Sequence, residues 1–62
     1  MSNLKKYVCQ LDEGMQDDIW NDVLTTMREI FDDEDEVMLH AKEAMTCKLC
    51  DLEDTIDIEK YL

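Results

Sequence analysis

From residue 15 onward the chain places apolar side chains at Met15, Ile19, Trp20, Val23, Leu24, Met27, Ile30 and Phe31. Steps of three and four residues sustained over more than four turns are the period of an α-helix, and the spacing predicts a helix over about 13–31. At about 100° per residue these eight positions fan over roughly 180°, while Asp17, Asp18, Asn21, Asp22, Thr25, Arg28 and Glu29 fill the remaining arc. An apolar stripe that wide needs more than one neighbour. Asp12 stands where an N-cap belongs, and Glu13 falls in the first turn, where the helix dipole favours negative charge.

The acidic run Asp32 to Glu36 breaks this pattern, and a second periodic series follows: Val37, Met38, Ala41, Ala44, Met45, Leu49 and Leu52. It predicts a second helix over about 34–47, opened by Asp33 with Glu36 three residues later in the manner of a capping box. A straight helix through Leu52 would turn Cys50 roughly 160° away from the apolar stripe and put Lys48 inside it, so the helix is expected to end near Thr46. Two helices with so short a connection pack antiparallel as a hairpin.

The ends of the chain, 3–11 and 52–62, support two readings. Leu4, Tyr7, Val8 and Leu11 fit a short helix behind Ser2 or Asn3, which is the preferred reading, whereas Tyr7, Cys9 and Leu11 alternate as in a strand. Ile56, Ile58 and Leu62 carry the same ambiguity, with Thr55 and two isoleucines raising strand propensity. There is no proline and one glycine, Gly14, so the usual markers of linkers and tight turns are missing. The expected fold class is all-α: a single domain over residues 1–62, built as a small helical hairpin of two main helices with short flanking elements, the termini alternatively pairing as short strands.

Length and charge then narrow the function. A chain of 62 residues affords one thin core and no deep substrate cavity. Hydrophobic residues make up 45% of it, enough to fold despite a formal charge of -11 from 17 acidic and 6 basic side chains. Self-repulsion of this size opposes folding, and a partner, an oligomer or salt would relieve it. Few and scattered bases argue against direct binding of nucleic acid or an anionic membrane. No apolar run is long enough to span a bilayer, and Met1 to Leu11 lacks the apolar stretch of a secretory signal. Three cysteines, an odd number, suit a reducing cytoplasm better than a disulfide framework.

Candidate chemistry is sparse. Cys47 and Cys50 form a C-x-x-C and, with Cys9 and His40, give the four side chains a zinc staple would need. On one continuous helix His40 and Cys47 would stand about 10 Å apart, too far to share an ion, so no metal and no cofactor is expected. The carboxylates of Asp32 to Glu36 imitate the start of an EF-hand loop, but Val37 stands where glycine is required. No catalytic Ser/His/Asp set or glycine-rich phosphate loop is present, and carboxylates without an apolar pocket keep ordinary acidity, which argues against an enzyme.

The segment Cys47-Lys-Leu-Cys-Asp-Leu-Glu-Asp-Thr-Ile-Asp-Ile-Glu-Lys-Tyr-Leu62, together with Lys6-Tyr-Val-Cys-Gln-Leu11, resembles short uncharacterised proteins encoded by phages and prophages of Gram-positive bacteria. In size and acidity the chain is also similar to phage inhibitors of host nucleases, among them anti-CRISPR proteins that imitate nucleic acid. That likeness is one of composition and carries over no functional residue. What it implies is a non-enzymatic inhibitor acting in the host cytoplasm, whose acidic surface occupies the basic nucleic-acid-binding site of a host protein such as a CRISPR effector. The residues that density of charge singles out for partner binding are Asp17, Asp18, Asp22, Asp32, Asp33, Glu34, Asp35 and Glu36. Two alternatives stand beside it. One is a homo-oligomeric structural or adaptor module, a homodimer in its simplest form, joined through Trp20, Leu24, Met27 and Phe31; the other is a zinc-stapled interaction module.

Overall fold

A computed structural model describes residues 3–62. Two helices dominate: α1, Glu13–Ile30, and α2, Glu34–Ala44. Short 3₁₀ turns follow the N-terminal segment at Val8–Gln10 and close the chain at Leu49–Leu52 and Ile58–Tyr61. The described residues contain no strand or sheet, and the architecture is the all-α hairpin that the apolar period implies.

Residues 31–33 join the helices without any residue in the left-handed region. Phe31 and Asp33 are both extended, with φ/ψ of -115°/137° and -85°/121°, so the chain leaves one helix and enters the next through conformations open to any residue. That is how a hairpin forms here without glycine or proline. The Asp33 carboxylate accepts the Asp35 N–H at 2.9 Å and caps α2, while the reciprocal bond that would complete a capping box with Glu36 is not formed. Asp12 does occupy the N-cap of α1, but its side chain makes no cap bond. Instead the Gln16 amide reaches back to the Leu11 and Cys9 carbonyls, at 2.7 and 3.3 Å, and ties the helix start to the preceding 3₁₀ turn.

The end of α2 accounts for the fate of the cysteines. The Glu43 carbonyl accepts both the Thr46 N–H and the Thr46 hydroxyl, at 3.0 and 2.7 Å, which satisfies an orphaned carbonyl and stops the helix. The chain then turns and runs beside the N-terminal segment. Val8 N–H donates to the Cys47 carbonyl, Leu49 N–H to the Lys6 carbonyl and Cys50 N–H to the Leu4 carbonyl, at 2.9, 3.0 and 3.0 Å. Among the described residues only Tyr7 and Lys48 form an antiparallel bridge, and the Lys48 ammonium lies over the Tyr7 ring, 5.5 Å from its centroid. The N-terminal segment therefore pairs with the stretch after α2 and not with the C-terminus, and it holds one 3₁₀ turn in place of a short α-helix. Ser2, one of its two expected caps, lies outside the described residues.

The core joins Ile19 and Val23 of α1 to Ala41 and Ala44 of α2, with Val8 and Leu11 at one end. Leu49, Leu52, Ile56, Ile58 and Tyr61 complete it from the C-terminal segment. These last five explain the width of the α1 stripe. The alanines of α2 let the helices approach closely, and the C-terminal segment covers the apolar surface that α2 leaves open. The apolar pull of the segment comes from Ile56, Ile58 and Tyr61, each no more than 7% exposed. The resulting body measures 37 × 18 × 16 Å.

Candidate partner-binding surface

Asp18, Asp22, Thr25 and Glu29 fall on one face of α1, since steps of four, three and four residues return to nearly the same angle. Against this face lies the C-terminal segment, and between them runs an open acidic groove. Its larger part, about 540 Å³, is lined by Asp12, Asp18, Asn21, Asp22, Lys60 and Tyr61 among others, and a smaller depression of about 260 Å³ continues past Thr25, Glu29, Thr55 and Asp57. Asp22 and Lys60 belong to both. Five carboxylates thus face one ammonium along the seam.

Asp22 is the polar centre of this seam. Its carboxylate accepts the hydroxyl of Tyr61 and lies 3.7 Å from the Lys60 ammonium. The Tyr61 ring is 5% exposed, and its carbonyl accepts the Asn3 side-chain amide at 2.9 Å. Burial first, then the hydrogen bond to Asp22 and the negative charge of Asp22, Asp18 and Asp57, hold the Tyr61 phenol protonated well above the ordinary tyrosine range. Both depressions lie open to solvent.

The acids expected to bind a partner separate into two groups. Asp18 and Asp22 line the groove and Asp17 is exposed beside it, whereas Asp32, Asp33, Glu34, Asp35 and Glu36 are exposed together at the hairpin tip. Asp33 is engaged as a cap and Glu34 pairs with Arg28 at 3.2 Å across the turn. Asp32, Asp35 and Glu36 have no side-chain partner among the described residues. The sequence did not assign Asp12, Glu29, Asp57 or Tyr61 to partner binding; the helical register of Asp18, Asp22 and Glu29 was the available signal for one of them.

The residues named for the alternatives are placed differently. Trp20, Leu24 and Met27 are partly buried against the protein's own core, and Phe31 stacks on His40 with centroids 4.4 Å apart and planes inclined by 2°. Among the described residues the large apolar side chains left exposed are Tyr7, Ile30, Leu39 and Leu62. Among the described residues no three His, Cys, Asp or Glu side chains converge as a metal site. Cys9 is exposed, Cys47 and Cys50 are half-buried, and all three are free thiols. His40 is held by Phe31 and lies 4.0 Å from the Glu43 carboxylate, so the set Cys9, His40, Cys47 and Cys50 is not assembled.

Charge is left largely uncompensated. Three ion pairs occur among the described residues, Arg28 with Glu34, Lys60 with Asp22 and His40 with Glu43, the last only when the imidazole is protonated. Each is solvent-exposed enough to contribute at most about 1 kcal/mol. No described helix is long and apolar enough to cross a membrane. No protein-family model, no curated protein and no solved structure matches the chain.

Proposed function

We propose that this protein is a non-enzymatic inhibitor of the phage type, acting in a host cytoplasm by occupying the basic nucleic-acid-binding site of a host protein, a CRISPR effector being the leading candidate. The observation that carries the proposal is the density at which ordered structure displays negative charge. A net charge of -11 over a long axis of 37 Å is one charge per about 3.4 Å, the spacing along a single DNA strand and half the density of a duplex. The charge sits on a helix face, the groove and the hairpin tip, where it is fixed in position before a partner arrives. A preformed surface of this kind loses little entropy on binding and is steered to a basic cleft over long range.

The test separates charge from fold. Asp18, Asp32, Asp35 and Glu36 carry no capping or ion-pair role and are replaced together by lysine, sparing Asp33 and Glu34. Immobilised wild-type chain should retain a basic nucleic-acid-binding protein from a host lysate, lose it steeply as salt rises, and release it to added DNA. The reversed chain should stay helical and retain none. Equal retention by both chains, or retention that DNA does not disturb, rejects the proposal.

A further inference from the structure

The C-terminal segment and α1 carry like charge where they meet. Residues 51–62 hold Asp51, Glu53, Asp54, Asp57 and Glu59 against the one base Lys60, and α1 holds Glu13, Asp17, Asp18, Asp22 and Glu29 against Arg28. Ile56, Ile58 and Tyr61 nonetheless pull the segment down onto the core. Its backbone N–H groups bond locally, Thr55 and Ile56 to the Leu52 carbonyl and Leu62 to the Glu59 carbonyl, while the Tyr61 carbonyl accepts the Asn3 side-chain amide at 2.9 Å. The side-chain links to α1 meet on a single carboxylate, Asp22, which receives both Tyr61 and Lys60. Asp18 lies one turn before Asp22 on the same face, and Asp57 lies across the seam. Apolar burial holds this contact and repulsion opposes it. Of the two, repulsion is the part that ions screen.

We propose that residues 53–62 form a charge-gated strap, with Lys60 as the gate. Screening of the seam favours the docked strap; low ionic strength or loss of Lys60 shifts the balance toward release while the helical hairpin persists. Opening of one terminal segment below the free energy of global unfolding is ordinary behaviour for a folded protein.

Tyr61 reports the docked state. In a Tyr7→Phe, Lys60→Arg background Tyr61 is the sole phenol and the gate stays cationic through the alkaline range; ionisation is followed by phenolate absorbance alongside the far-ultraviolet helical signal. Salt runs from about 0.01 M to about 1 M, over which the Debye length falls from about 30 Å to about 3 Å. The sign of the salt effect discriminates. If the strap stays docked, nearby carboxylates raise the Tyr61 midpoint most at low salt; if it is gated, low salt frees the phenol and its midpoint drops toward the ordinary value of about 10. The expected result is the second, enhanced in Lys60→Glu and reversed by salt, with helical signal retained. Lys42→Glu makes the same change of net charge on the outer side of α2 and should follow the parent curve, while Asp18→Asn should keep the strap docked at low salt. Equal curves for Lys60→Glu and Lys42→Glu, a midpoint that rises as salt falls, or loss of helix in step with Tyr61 overturns the proposal. Should Lys60→Glu not fold, Asp18→Asn against its parent decides alone, identical salt curves counting against the gate.

Discussion

Replacing Tyr61 by phenylalanine removes one hydroxyl and keeps the ring that fills the core. The hydroxyl donates to an ionised carboxylate, Asp22, and bonds to charged groups contribute about 1.5–3 kcal/mol. The Asp22 side chain is 32% exposed and close to Lys60, so once abandoned it regains water and a counter-charge, which places the loss near the lower end, about 1.5 kcal/mol. In a domain of this length each kcal/mol moves the thermal midpoint by about 4–8 °C, so Tyr61→Phe should melt about 6–12 °C lower at neutral pH. Alkaline pH supplies an internal control. The folded protein holds the Tyr61 proton more tightly than the unfolded chain does, so the stabilisation is whole below about pH 10 and declines by about 1.4 kcal/mol per unit above it. Wild-type stability should therefore fall more steeply above pH 10 than that of Tyr61→Phe, and the two melting curves should converge. Thermal unfolding followed by circular dichroism at stepped pH reads both effects. Equal midpoints at neutral pH, or parallel alkaline declines, would refute the reasoning about this bond.

Other expectations follow from packing and capping. Leu49→Ala empties a fully buried position and should cost about 2–5 kcal/mol, most of the stability a chain of this length possesses, whereas Leu39→Ala, at a position 56% exposed, should stay within about 0.5 kcal/mol by denaturant titration. The two N-cap aspartates should behave differently: Asp33→Ala loses a formed bond and about 0.5–2 kcal/mol, while Asp12→Ala, whose carboxylate caps nothing, should be near neutral. Both are measured by the same melts. Sedimentation equilibrium should find a monomer at physiological salt, because Trp20, Leu24 and Met27 already pack on their own core; a tight dimer that persists when Trp20 is replaced by alanine and vanishes when Ile30 and Leu39 are replaced by serine would relocate the apolar contact surface.

The two helices were legible because their apolar period is long and uninterrupted, and the acidic run between them marked the turn. That α2 stops before Lys48 and Cys50 was legible, since the two could not both lie comfortably on a continued helix, but its last residue is Ala44 and not the expected Thr46 or Cys47. The segments 3–11 and 52–62 were not, for a physical reason. Each is shorter than a helix needs to stand alone, and their conformation is set by what they cover: Tyr61 and Ile58 by the bare flank of α1, residues 4–8 by the stretch 47–50. Alternation and helical spacing both fit such segments, and 3₁₀ turns satisfy part of each. For the candidate site, the acids were countable in the sequence, but the groove was not. It exists because the C-terminal segment crosses α1 at Asp22, a long-range contact that no local pattern encodes.

Every functional inference depends on negative charge being held in fixed positions by a folded chain. Far-ultraviolet circular dichroism of the isolated protein at physiological ionic strength examines that dependence with nothing else added. A strongly helical spectrum with a cooperative, reversible melt is the expected outcome, in keeping with a structure in which two helices and three 3₁₀ turns hold most of the described residues. A coil spectrum that gains no helix when salt is raised would contradict it, because carboxylates on a disordered chain have no groove, no tip and no strap to present.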